Sequence, residues 1–275
     1  MKLGFSANAF SNNSLLYSIE VISKMGYDGI EIVLDTPHAF LPLSKKKIIQ
    51  IKKSLVENNL QVTNLNSNTV FGWTQDFPGE MFEPSLSNTN EKFRTWRIEY
   101  TKQAIDLAEY LNSKSISITS GISNLENSDL SLKLFHDSLI EIGTYAEKKN
   151  VLIAIEYEPN LLIDTSNKVW NLLSNDFKNI GLNLDTCHAE VNKENLSDII
   201  HKFKKKIIHT HISDCKNNIH YHLLPGSGNI DFQKMFSSLN DVCYSGFLTA
   251  ELYTYSELPE EAASKAFIYL KNLIK

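Results

Sequence analysis

The stretch NIGLNLDTCHAE, residues 179–190, combines a short apolar run with polar residues at the point where that run ends. The run at 180–185 is typical of a buried strand, and Asp185 and His188 lie three residues apart at its carboxyl end. Similar apolar runs that end in polar residues recur along the chain. They predict both the fold and the place of a candidate site.

Short β-branched or apolar runs alternate with longer segments of 3.6-residue periodicity, a pattern that favours βα units around a parallel sheet. The predicted strands are residues 2–6, 29–34, 61–66, 115–120, 151–158, 180–185, 207–213 and 247–253. The predicted helices are approximately residues 14–24, 44–58, 91–111, 130–149, 166–174, 195–204, 231–239 and 258–274. Each strand is therefore followed by its own helix.

Eight strand–helix units in 275 residues favour a closed (β/α)8 TIM barrel over an open doubly wound sheet. The nucleotide-binding alternative lacks its fingerprint, since no GxGxxG or GKS/GKT motif follows a strand. Ser14, Ser44 and Asp231 stand at expected helix caps, and Pro259 opens the last predicted helix. We predict an α/β protein with a single domain, residues 1–275.

The charge balance argues against a nucleic-acid partner. The net charge is −5, and the basic run KFKKK at 202–206 is interpreted as a solvated helix end. The predicted partner is a small molecule.

Cysteine use and the amino terminus bear on the compartment. Cys187, Cys215 and Cys243 are widely spaced and form no CxxC pair, which favours a reducing environment. The sequence MKLGFSANAF lacks the pattern of a secretory signal, and no apolar run approaches the roughly 18 residues of a membrane span. We expect a cytoplasmic protein without a membrane segment.

One predicted connection, residues 67–90, is longer than the roughly 12–15 residues that structureless loops in compact domains usually reach. It carries five large apolar side chains, too many for a segment that meets only water. We predict an active-site lid, with a solvent-exposed loop as the alternative. The apolar residues are Phe71, Trp73, Phe77, Met81 and Phe82.

Carboxylates and imidazoles gather at the predicted ends of strands five to eight, the end at which barrel enzymes carry their chemistry. They are Glu156 and Glu158, Asp185 and His188, His209, His211 and Asp214, and Glu251. Burying such groups without a compensating cation is costly. A divalent metal is therefore expected, and an oxygen-rich ligand set suits Mn²⁺, Mg²⁺ or Co²⁺, with Zn²⁺ also compatible.

The order of Glu156, LDTCH, HTHISD, GSGNIDF and AELY resembles the xylose isomerase-like TIM-barrel superfamily of sugar isomerases and epimerases, across essentially the whole chain. The segments YDGIEI and QAIDLAEYL are similar to that family as well. The resemblance implies that His188 binds a substrate hydroxyl. It also implies one bound divalent metal, with Mn²⁺ favoured, and the ligands Glu156, Asp185, His211 and Glu251.

The same resemblance implies chemistry through a metal-stabilised enediolate of a sugar, keto-sugar or sugar phosphate, with Glu156 and Glu251 as catalytic acid–base residues. Epimerisation, aldose–ketose isomerisation and dehydration of a cyclitol or keto-sugar remain open. A non-catalytic ligand-binding barrel is the alternative from another class. Members of the superfamily often form homodimers or homotetramers.

This chain differs from two branches of the superfamily at residues that those branches carry. Ketohexose epimerases of the superfamily carry an arginine where this chain has Asn217, so Lys216, Asn217 or His222 is expected to bind substrate instead. The endonuclease branch needs histidines at strands three and four, where this chain reads NLNSN and SITSG. An endonuclease is therefore not expected.

Several polar residues keep more than one interpretation. Asp214 either orients an imidazole, binds substrate or caps a turn, and Glu158 is a supporting acceptor, an alternate ligand or exposed. His209 and Glu31 are expected to be structural or supporting residues. Arg94 and Arg97 are either solvated or near enough to bind a substrate phosphate or carboxylate.

Overall fold

The computed structural model describes residues 1–70, 72, 81–123, 128–173 and 177–274. The strands are β1 Lys2–Ser6, β2 Gly29–Val33, β3 Gln61–Asn66, β4 Ser115–Ile118, β5 Leu152–Glu156, β6 Ile180–Asp185, β7 Ile207–Ile212, β8 Asp214–Lys216, β9 Ile219–Leu223 and β10 Phe247–Ala250. Eight parallel strands close into a barrel in the order β1-β10-β7-β6-β5-β4-β3-β2, which confirms the predicted (β/α)8 TIM barrel. A two-stranded antiparallel hairpin, β8–β9, lies outside the barrel sheet.

The α-helices of the described chain are α1 Leu15–Lys24, α2 Lys45–Glu57, α3 Glu91–Leu111, α4 Ser128–Lys148, α5 Ser166–Leu173, α6 Thr186–Val191, α7 Leu196–Phe203, α8 Phe232–Asp241 and α9 Pro259–Ile274. The predicted caps are confirmed, because the side chains of Ser14, Ser44 and Asp231 accept hydrogen bonds from Tyr17 N, Lys47 N and Lys234 N. Within the described residues, no helix has the length and apolarity to cross a membrane.

The register of the strand pairing places the polar residues at the strand ends next to one another. Glu156 pairs with Asn183 across β5 and β6, and Asp185 pairs with His211 across β6 and β7. Because β10 pairs with β7 on its other side, Glu251, one residue past β10, lies at the same end of the barrel. The apolar parts of the strands, such as Ile155 and Leu182, are fully buried.

Several strands are shorter than predicted, and the shortening of two of them changes the place of residues near the site. The fifth strand ends at Glu156 rather than at residue 158, because the Glu158 N–H bonds to Ile163 O in the following loop. The last strand ends at Ala250 rather than at residue 253, where a 3-10 turn begins. Glu158 therefore stands beside the barrel mouth instead of on a strand with Glu156.

The two ends of the long loop, residues 67–90, are fixed by buried charged side chains. Arg97, 5% exposed, donates to Pro84 O and Ser67 O, so the expected solvated or phosphate-binding role is wrong for this residue. Arg94 donates to Asn88 O. Asp35 accepts from the N–H groups of Val70 and Gly72. Phe71, Trp73 and Phe77 lie outside the described residues, so the lid stays a prediction.

Candidate metal centre

Four side chains from different barrel strands converge at the carboxyl end of the barrel. Glu156, Asp185, His211 and Glu251 each place one potential ligand atom within 4.8 Å of the others, and all four are buried. His211 Nδ1 is the centre of the group, 2.6 Å from Glu156 Oε1, 3.2 Å from Glu251 Oε2 and 3.9 Å from Asp185 Oδ2. The structure therefore brings together the four residues that the sequence suggested as ligands.

Asp185 serves the fold with one oxygen and faces the site with the other. Its Oδ1 accepts from the N–H groups of Cys187 and His188, which caps α6. Its Oδ2 is buried and has no hydrogen-bond partner among the described residues. A buried carboxylate oxygen without a partner is costly, and a bound cation would satisfy it.

Glu31 supports His211 from the side away from the cluster. Its Oε2 lies 2.8 Å from His211 Nε2 and 3.2 Å from His209 Nε2. Asn64 donates to the same oxygen, and the Ser6 hydroxyl donates to Oε1. With Nε2–H donating to Glu31, His211 can present the lone pair of Nδ1 to a metal, the usual arrangement of a carboxylate behind a metal-binding histidine.

The supporting role of Glu31 leads to a prediction. Glu31→Gln keeps the shape of the side chain but removes its charge, so metal affinity should fall by roughly 10–100-fold, the usual cost of losing such support. Isothermal titration with Mn²⁺ measures this. Glu57→Gln, on the exposed end of α2, is the control and should bind like the original protein. Equal affinity in the Glu31 variant would remove Glu31 from this role.

The cluster holds more negative than positive charge. Burial alone would lower the pKa of His211, but the carboxylates of Glu156, Glu251 and Glu31 raise that pKa well above its usual value. Burial raises the pKa of Glu251 to about 7 and also raises that of Glu156, while His211 opposes both shifts. One imidazole thus compensates several carboxylates, and a divalent ion would restore the balance.

The imidazole rings of His188 and His222 border the cluster, and a hydrogen bond to a backbone carbonyl fixes the orientation of each ring. His188 Nδ1 lies 2.8 Å from Tyr157 O, and His222 Nδ1 lies 3.1 Å from Glu251 O. A carbonyl only accepts hydrogen bonds, so both rings carry their proton on Nδ1 and direct the lone pair of Nε2 elsewhere. Burial lowers the pKa of His188 to about 3, which keeps this ring neutral.

The Asp214 carboxylate accepts hydrogen bonds from backbone N–H groups of a neighbouring loop, instead of facing a substrate. Its Oδ1 accepts from the N–H groups of Cys215 and Ile230, and its Oδ2 accepts from those of Gly226 and Gly228. The loop GSGNI thus wraps around a buried carboxylate. A Cβ at Gly228 would meet Asp214 Oδ1 at 2.3 Å, so the glycine is needed for this close approach. The geometry favours the turn-holding interpretation.

Asp214→Asn should therefore destabilise the protein. The amide can accept with only one oxygen, and hydrogen bonds to a charged group contribute about 1.5–3 kcal/mol each, so we expect the free energy of unfolding to fall by about 3 kcal/mol. Urea unfolding followed by circular dichroism measures it. Asp231→Asn is the matched control, since asparagine caps a helix as well as aspartate does. Equal midpoints for the two variants would contradict this account.

Lys216 and Asn217, predicted to bind substrate, lie at the exposed turn between β8 and β9. Asn217 and Asn218 both adopt positive φ, and the Asn217 N–H donates to Asn229 Oδ1. The structure brings His188 and His222 to the cluster and leaves these two residues at the hairpin tip.

Sequence reasoning missed three residues of the site. Asn8 donates to Glu251 Oε1 at 2.8 Å, Asn183 Nδ2 lies 3.2 Å from His211 Nδ1, and His220 lies beside His188. Asn8 and Asn183 sit at or near the carboxyl ends of β1 and β6. The rule that polar side chains at those ends build the site would have found both.

Comparison with known proteins agrees with the barrel fold and identifies its family. A family model described as xylose isomerase-like TIM barrel matches residues 19–273. Fructoselysine 3-epimerase of Shigella flexneri is 25% identical over 280 residues, covering 100% of this chain and 98% of that protein. The 3-dehydro-D-guloside 4-epimerase of Escherichia coli strain K12 is 22% identical, covering 99% and 100%.

A solved structure of the IolI protein with a bound zinc atom superimposes with a TM-score of 0.82 at 22% identity, covering 100% of this chain and 98% of that one. This similarity extends the agreement in fold over the whole length of the chain. The family match and the relatives together identify the chain as a member of the xylose isomerase-like TIM-barrel family and an enzyme of the isomerase and epimerase kind.

Proposed function

We propose that this chain is a divalent-metal-dependent epimerase or isomerase that acts on an uncharged sugar or related polyol ketone. The observation that carries the proposal is the convergence of Glu156, Asp185, His211 and Glu251, with Asp185 Oδ2 buried and unpartnered among the described residues. The relatives are named as epimerases of sugar derivatives, which supports a sugar-type substrate.

The donor set fits a metal. Three carboxylates and one imidazole nitrogen suit Mn²⁺, which we favour, and are compatible with Mg²⁺, Co²⁺ or Zn²⁺. The excess of buried carboxylates supports the same conclusion. When bound, such an ion supplies Lewis acidity that polarises substrate oxygens and acidifies the neighbouring C–H group.

Glu156 and Glu251 are the proposed acid–base pair. They approach His211 Nδ1 from different strands, β5 and the end of β10. In the proposed reaction, one carboxylate removes the proton from the substrate carbon, and the other returns a proton to the opposite face or to the neighbouring carbon. Asn8 holds Glu251 Oε1, which leaves Oε2 to face the cluster. In the metal-free protein burial raises the pKa of Glu251 to about 7, and a bound cation would favour the ionised form that a base needs.

His188 and His222 are the proposed contacts for substrate hydroxyls. Because Nδ1 of each ring donates to a backbone carbonyl, Nε2 of each ring can accept a hydrogen bond from a hydroxyl group. His222 Nε2 lies 3.9 Å from Asp185 Oδ2, so this nitrogen borders the cluster directly. Lys216 and Asn217 have no part in the proposed contacts.

The charge around the cluster favours a substrate without phosphate. Carboxylates and imidazoles are the ionisable partners of these residues, and no lysine or arginine of the described chain forms an ion pair with them. Phosphate groups in proteins are usually bound by arginine, lysine or helix N-termini. An uncharged substrate avoids repulsion by the carboxylates.

Proton exchange with solvent tests the proposal. The metal-loaded protein is incubated in deuterium oxide with a panel of ketohexoses, keto-glycosides and inososes, and mass spectrometry and NMR follow the products. We expect deuterium at the carbon next to the carbonyl, together with an epimerised or isomerised product. Loss of water would instead identify a dehydratase. The absence of exchange with every panel member, at full metal loading, would favour a ligand-binding barrel.

Compartment and assembly are separate proposals. Cys187, Cys215 and Cys243 are all free, which supports a reducing compartment, and we propose the cytoplasm. A homodimer or homotetramer is proposed from the family resemblance, and light scattering of the purified protein checks it.

A further inference from the structure

A cavity of about 610 Å³ opens at the amino-terminal end of the barrel, the end opposite to the candidate metal centre. Its lining comes from the first residues of barrel strands and from the helix-to-strand loops beside them. Lys2 begins β1, Gln61 begins β3 and Ser115 begins β4. The cavity therefore shares none of the four proposed metal ligands. We call it the basal cavity.

Three lysines line the basal cavity, and no carboxylate of the described residues does. They are Lys2 at the start of β1, Lys52 on α2 and Lys114 directly before β4. Each ammonium group is positively charged near neutral pH. The net charge of the whole chain is −5, so a place with three cations and no anion differs in sign from the molecule as a whole.

Neighbouring carboxylates do not neutralise these lysines. Lys2 Nζ donates to Gln61 Oε1 at 3.0 Å, and Lys52 Nζ donates to Tyr110 O at 2.7 Å, and both acceptors are uncharged. The ion pairs that the described residues form with lysine all involve other lysines, and Lys114 is not among them either. Because an ammonium group has three N–H donors, Lys2 and Lys52 each keep two for an incoming anion.

Thr63, on β3, also lines the basal cavity, and its hydroxyl is unsatisfied. The residue is 5% exposed, and Oγ1 has no hydrogen-bond partner among the described residues. Its methyl group points to the neighbouring strands, where a Cβ added at Gly4 or Gly29 would meet it at 2.7 or 2.6 Å. A buried hydroxyl without a partner is costly, so a polar ligand atom in the cavity would stabilise it.

We infer that the basal cavity binds a small organic phosphate. A phosphate group carries a charge of about −1.5 to −2 at pH 7, which three uncompensated lysines balance better than they balance the single charge of a carboxylate. Leu152 and Phe247 add apolar surface on which the carbon body of the ligand can lie. The volume is within the range of roughly 300–1,000 Å³ that is usual for small-molecule sites. The inference goes beyond the proposed function, because it concerns the other end of the barrel and a ligand of another charge class.

Isothermal titration of the metal-loaded protein with phenyl phosphate tests the inference, and benzoate is the singly charged comparison. We expect saturable binding of one phenyl phosphate per chain and weaker binding of benzoate. Lys52→Gln/Lys114→Gln should weaken phenyl phosphate binding by at least about tenfold, the loss that corresponds to one charge-assisted hydrogen bond. Lys46→Gln/Lys53→Gln removes the same charge from exposed positions of α2 outside the cavity, and this matched control should bind like the original protein.

Lys2→Gln is a second cavity variant, and it should weaken binding in the same direction. Circular dichroism checks that all variants are folded. Unchanged affinity in both cavity variants would place the anion elsewhere and overturn the inference. An equal loss in the control variant would show attraction by overall charge only, which would also overturn it. The absence of saturable binding, or benzoate binding as tight as that of phenyl phosphate, would count against an organic-phosphate site. None of these results bears on the proposed function, which proton exchange tests separately.

Discussion

Asp185→Asn should abolish tight binding at the metal centre while leaving the fold intact. The N–H groups of Cys187 and His188 require an oxygen acceptor, so the asparagine carbonyl takes the capping place and its NH2 group faces the cluster. A donor group there cannot ligate a cation. Loss of an outer supporting residue already costs roughly 10–100-fold in affinity, and removal of a ligand should cost more than about 100-fold.

Elemental mass spectrometry on protein purified without chelator or affinity nickel, combined with Mn²⁺ titration, measures this loss. Circular dichroism should show an unchanged helical content, because the cap is kept. Asp231→Asn, which replaces a helix-capping aspartate that is not a proposed ligand, should retain full metal content. If Asp185→Asn binds Mn²⁺ as tightly as the original protein, the ligand assignment is wrong.

Glu251→Gln should stop proton exchange at the substrate carbon. Asn8 donates to Oε1 and therefore holds the glutamine oxygen, so the amide NH2 replaces the carboxylate oxygen that faces His211. An amide cannot act as a base in this pH range. The exchange rate should fall by roughly 10²–10⁴-fold, the usual contribution of a general base.

This substitution also weakens a proposed ligand, so exchange is compared at metal concentrations that load both proteins. Glu257→Gln, an exposed glutamate that contacts Asn12, is the control and should exchange normally. Substrate binding, measured by titration without turnover, should change less than the rate. Exchange at the original rate in fully loaded Glu251→Gln would assign the proton transfer to another group.

The sequence predicted the barrel because eight short apolar runs alternate with segments of helical periodicity, and several of those segments begin at a recognisable cap. It also predicted that the polar residues of strands five to eight gather at one edge, since parallel strands place their carboxyl ends together, whereas the choice of Glu156, Asp185, His211 and Glu251 among them came from the family resemblance. These features are local, or follow from strand order alone. Predicting that these residues gather did not require the geometry of the loops.

The remaining parts depend on contacts between distant segments. Glu31 meets His211 across the barrel interior, and Asp214 meets backbone groups of the GSGNI loop, and no local pattern predicts either contact. The hairpin was predictable in principle, because two consecutive asparagines between extended segments favour a two-residue turn with positive φ. Because the hairpin was not predicted, His220 was not assigned to the site, and Lys216 and Asn217 were expected to bind substrate although they lie at the hairpin tip.

The division of labour within Asp185 also matters for redesign of this barrel. Oδ1 caps α6 and Oδ2 is the proposed metal ligand, so asparagine, which replaces one oxygen by an NH2 group, can separate the two roles. Glutamate at this position would reach too far to cap α6, and alanine would leave its first N–H groups unpaired. Conversion of the barrel into a metal-free binding scaffold should therefore begin with asparagine at position 185, which keeps the frame and leaves a neutral polar surface for a new ligand.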